Sequence, residues 1–87
     1  MDATQLRDAL TLAEASPGPR EAAAVLRQRF ASLRVVVVDA QDMRGEFPAA
    51  SGGRVSIWLG ASEGHCWSVT LDPAQASALF VADRVAS

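Results

Sequence analysis

Arg54-Val55-Ser56-Ile57-Trp58-Leu59-Gly60 and, after a short gap, His65-Cys66-Trp67-Ser68-Val69-Thr70-Leu71 are the two stretches whose reading decides the fold. Side chains alternate across a strand with a period of two. On the first stretch Val55, Ile57 and Leu59 share one face, and Ser56 and Trp58 share the other. On the second, Trp67, Val69 and Leu71 share a face opposite Cys66, Ser68 and Thr70. Ala61-Ser62-Glu63-Gly64 between them reads as a hairpin turn. A one-residue slip turns every side chain to the other face, so burying both apolar sets together requires paired numbers with an even sum. The register expected on that basis sets Ile57 opposite Trp67, Val55 opposite Val69 and Trp58 opposite Cys66.

Upstream, residues 33–40 carry the β-branched run Val35-Val36-Val37-Val38 and predict a third strand. Its apolar residues fall on both parities, which implies cover on both faces. Residues 41–53 read as a connection broken by Gly45, Pro48, Gly52 and Gly53, with Met43 and Phe47 folding back onto the body. Two helices are expected before the first strand. Residues 2–15 begin at an Asp2 N-cap, and residues 19–32 begin with Pro19 at the first position and carry the stripe Ala22, Val25, Leu26 and Phe30. Asp72-Pro73 repeats that start signal and predicts a last helix whose stripe is Ala76, Leu79, Phe80 and Asp83. The expected class is α+β, one domain over residues 1–87, in the order α-α-β-β-β-α with a three-stranded antiparallel meander packed against helices.

Charge and composition restrict the function. A formal charge of −2 supplies no concentrated positive surface for phosphate, so no nucleic-acid partner is expected. No apolar run is long enough to cross a bilayer, and the N-terminus lacks the form of a secretory leader, so membrane association is not expected and the cytoplasm is the expected location. All eight basic residues are Arg and Ala is abundant, the usage of a GC-rich bacterial gene. The lone Cys66 rules out an intrachain disulfide.

Chemistry-bearing residues are few. His65-Cys66 could pair an imidazole with a thiol, but neighbours on a strand point to opposite faces, and the plain reading is a sheet cysteine beside a hairpin mouth. One His and one Cys cannot make a four-ligand zinc site, and no cofactor or metal is expected. Ser51-Gly52-Gly53-Arg54 precedes a strand, not a helix, so it is no phosphate loop. No catalytic set emerges. The expected function is a small non-enzymatic interaction or accessory protein that self-associates as a homodimer or binds a protein partner. Its candidate interface is Trp58 and Cys66 with Val36 and Val38, on the sheet face away from the helices; the alternative is that a helix of the same chain covers that face, or that Trp58 is core and Trp67 lies outside. The competing expectation is a small-ligand or thiol-based catalytic domain. It would use the 41–54 loop and the hairpin mouth, where Arg44, Glu46, Arg54 and His65 would meet Cys66.

Overall fold

The computed structural model describes residues 1–63 and 66–83. Its first helix, α1, spans Ala3–Glu14. Asp2 caps it as the sequence predicts: its carboxylate accepts from the Gln5 N–H at 2.8 Å, while the Gln5 side-chain oxygen accepts from the Asp2 N–H at 2.9 Å. This reciprocal box satisfies two of the backbone donors that every helix start leaves open. The second helix, α2, spans Pro19–Arg29, with Pro19 in its first turn. Its buried side is Ala22, Ala23 and Leu26, with Phe30 just beyond, whereas Val25 is turned outward. Ala9 and Ala13 of α1 are buried against the same core. Small side chains at these positions let two short helices lie close to one sheet face.

Among the described residues the sheet has five strands. β1 (Arg34–Val37) runs parallel to β5 (Ala78–Asp83), and β5 pairs antiparallel with β3 (Val55–Glu63). The far side of β3 carries β2 (Ala50–Ser51) along its first half and β4 (Cys66–Thr70) along its second. Helices cover the face that holds Val35, Val55, Ile57, Leu59, Leu79 and Val81. Four of these, Ile57, Leu59, Leu79 and Val81, are fully buried. Each such side chain contributes roughly 1.5–3 kcal/mol on leaving water.

The α+β class holds, but three expectations change. The last helix is absent. Asp72 does cap a helical turn, accepting from the Ala74 N–H at 3.0 Å, yet that turn is a single 3-10 turn, Pro73–Gln75. The chain then forms β5, which lies between β1 and β3. Leu79 and Val81 face the helices, while Ala78, Phe80 and Ala82 face the other way. A strand covered on both faces is apolar at both parities and loses its alternating signature.

The meander is also replaced. β4 and β5 lie on opposite sides of β3, so the chain crosses β3 between them, and β1 joins the sheet through β5. The hairpin register changes with it. Leu59 pairs with Thr70, Gly60 with Val69, Ser62 with Trp67 and Glu63 with Cys66, an odd sum throughout. Residues 61–63, expected in the turn, belong to β3. Trp67 and Val69 therefore stand on the face opposite Ile57 and Leu59. The even-sum rule assumed one apolar face, and this sheet has two.

Gly60 shows how tightly the second face is packed. A Cβ built on it would lie 2.5 Å and 2.9 Å from Phe80 ring carbons and 3.3 Å from the Ala78 Cβ. Gly60→Ala is expected to destabilise the fold by ~1–3 kcal/mol, as overpacking does. Adding Phe80→Leu should recover part of that loss. The check is a double-mutant cycle by urea unfolding, and strict additivity of the two changes would remove the steric explanation.

Candidate functional site

The second face is built around Phe80. Strand register puts Val36 on one side of it and Trp58 on the other. Trp67 meets it edge-on, with ring centroids 6.5 Å apart and planes at 80°. This T-shaped arrangement brings the positive edge of one ring to the negative face of the other. The Trp58 indole N–H donates to the Glu46 carbonyl at 3.2 Å, which draws the connection before β2 onto this face. Trp58 is only 5% exposed as a result, while Trp67 is 46% exposed.

The residues expected to form an interface are thus divided. Trp58 is in the core of the second face. Val36 and Val38 are half-buried, and the Val38 N–H donates to the Val81 carbonyl at 2.9 Å. The Cys66 backbone is placed opposite Glu63, but its side chain lies outside the described residues.

Of the expected ligand residues, Glu46 and Arg54 make contacts on opposite sides of the sheet. Arg44 is exposed and ends the 3-10 turn Ala40–Met43, whose Asp39 cap accepts from the Gln41 N–H. Glu46 serves through its carbonyl, on the Trp58 face. Arg54 reaches the helix side instead, where its Nη2 donates to the Glu14 carbonyl at 2.8 Å and to the Ser16 carbonyl at 3.4 Å. It closes the carbonyl end of α1, a common use of Arg near a helix terminus. His65 lies outside the described residues. Met43 is half-buried, but Phe47 does not fold back and is 77% exposed.

A cleft beside Arg54, bordered by Ala13, Ser16, Pro17, Gly18 and Asp83, encloses about 60 Å³. Organic ligands occupy cavities of roughly 300–1,000 Å³, so this cleft admits a few waters and no more. Among the described residues, no group of three or more His, Cys, Asp or Glu side chains could hold a metal ion. Among them, too, no helix is long and apolar enough to cross a membrane.

The rim of the sheet offers a different kind of site, and its two edges differ. Gly52 donates to the Val55 carbonyl, so the odd-numbered backbone groups of β3 point toward β2 and β4. Antiparallel ladders alternate. Cys66, Ser68 and Thr70 therefore spend their backbone groups on β3, and Trp67 and Val69 turn theirs to the open edge. Residues 66–71 contain no charge and no Pro, and Leu71 just past the strand is 62% exposed. At the opposite edge, Arg34 donates to the Ser77 carbonyl just before β5 and Val38 to the Val81 carbonyl, which leaves the backbone groups of Val35 and Val37 pointing outward. There the Val35 carbonyl is occupied: Arg27 Nε and Nη2 donate to it at 3.2 Å and 3.0 Å.

No protein-family model matches this chain, and no curated protein or solved structure matches it. The geometry alone therefore carries the functional argument. It singles out Trp67, Val69 and Leu71, which sequence reasoning had turned toward the helices. The available signal was the uncharged 66–71 run, since natural edges usually carry Lys, Pro or a bulge.

The two tryptophans should respond differently to truncation. Trp58→Ala is expected to cost ~3–5 kcal/mol, as loss of a buried aromatic does. Trp67→Ala should cost less, because about half of that side chain is already in water and the edge-on contact adds only about 0.5–1.5 kcal/mol to its area burial. Urea unfolding of the two variants measures both, and the reverse order would contradict the face assignment.

Proposed function

We propose that this chain is a non-enzymatic interaction domain that pairs with a second copy of itself by strand addition along β4. The observation that carries the reading is the β4 edge, where outward backbone donors and acceptors of Trp67 and Val69 lie beside exposed apolar side chains. Strand addition takes affinity from main-chain hydrogen bonds and specificity from alternate side chains. A second copy suits this edge because the strand is uncharged, so two identical strands meet without like charges opposed. A dyad at Ser68 sets Trp67 of each copy across from Val69 of the other and satisfies both outward residues. The sheet then runs continuously through both copies, with helices on one side and the Phe80–Trp67 strip on the other. Twofold pairing of this kind uses one self-complementary patch and is closed.

Proline at position 69 tests the reading, because it removes an outward N–H while leaving the β3 ladder intact. The wild-type chain is expected to sediment at twice its chain mass. Val69→Pro should weaken the dimer by at least about tenfold, or ~1.4 kcal/mol, while Val69→Thr keeps it. A wild-type chain that remains monomeric up to millimolar concentration would overturn the proposal.

A further inference from the structure

We infer that Arg27 is an edge guard: its guanidinium on the Val35 carbonyl keeps β1 from accepting a strand of a second copy. The sequence of β1 and its next residue, Arg34-Val35-Val36-Val37-Val38, is among the most adhesive a sheet can present at its rim. Val35 and Val37 direct their main-chain groups away from β5, and the Val37 side chain is 36% exposed. An unguarded edge of this composition is a template for another chain. Arg27 reaches it from the exposed side of α2, eight residues earlier in the chain, and places both Nε and Nη2 on one carbonyl oxygen. A planar fork of donors is suited to this, and a single ammonium is not. The two donors occupy the acceptor a new strand would need first, and the guanidinium sets a charge where that strand would lie.

The guard itself rests only on the Arg27 contact. Its consequence for assembly rests on the β4 reading above. A sheet with two open edges of different sequence can add copies head to tail, and such an arrangement does not close. With β1 guarded, β4 is left to pair with β4, and growth stops at two copies.

The test is sedimentation velocity of the full chain over a range of concentrations, with far-UV circular dichroism to confirm folding. Arg27→Met keeps the aliphatic stem and the helix propensity but removes the donors. It is expected to form concentration-dependent species larger than a dimer. Adding Val37→Lys should return the mass to the wild-type value, because a lysine on the edge replaces the lost guard. Adding Val69→Pro to Arg27→Met should instead limit association to pairs through β1. Arg27→Lys retains charge without the fork and should associate to an intermediate degree, which keeps the test available if the methionine variant unfolds. A folded Arg27→Met or Arg27→Lys protein with unchanged mass at every concentration overturns the guard. A monomeric wild type whose Arg27→Met variant associates would uphold the guard and reject the β4 dimer.

Discussion

Burial of β5 on both faces is the constraint on which the rest of this molecule depends. Leu79 and Val81 point into the helical layer, while Phe80 points into a separate aromatic layer behind the sheet. One six-residue strand thus ties two cores together, and β1 and β3 attach to its two edges. Because β5 comes last in the described chain, β1 has no sheet partner until nearly the whole chain is present, and β3 has only β2 and β4. The β1–β5 pair joins residues more than forty positions apart. Contacts of such separation carry a loop-closure cost before they return any stabilisation.

The aromatic layer has a different task. The second half of β3 extends past the end of its pairing with β5, so residues 61–63 are held in the sheet by β4 alone. An isolated two-stranded ribbon is marginal in water. Trp67 resting edge-on against Phe80 fastens that ribbon to the body, and Gly60 makes room for the ring that does it. Trp58 closes the other side of the layer and takes a hydrogen bond partner from the connection before β2. The same packing that stabilises the ribbon leaves the outer side of β4 presentable to another strand.

The two edges solve one physical problem in opposite ways. Every open sheet ends in unpaired main-chain groups that either water or another strand must satisfy. At β1 an arginine from α2 supplies a charged cover for the Val35 carbonyl. At β4, where residues 66–71 are uncharged, the strand brings apolar side chains to the rim. This asymmetry is the feature on which the proposed interaction role rests.

The first two helices and the caps were legible in the sequence, because Asp2, Pro19 and Asp72 act on backbone groups a few residues away, although Asp72 opens a single turn and not the helix expected there. So was the strand character of 55–59 and of the valine run, although Val37 stays exposed where cover on both faces was expected. The fate of 78–83 was not legible: Ala78-Leu79-Phe80-Val81-Ala82 suits a helix or a central strand equally, and only its neighbours on both sides decide. That Arg54 reaches the helix side while the Glu46 carbonyl meets Trp58 on the other face was equally hidden, since proximity along the chain says little about faces. Alternation told which side chains travel together, but not which face is dry. That choice fixed the hairpin parity and exchanged the roles of Trp58 and Trp67. It was made by Phe80, a residue that neither arm of the hairpin contains, and so it belonged to the tertiary structure.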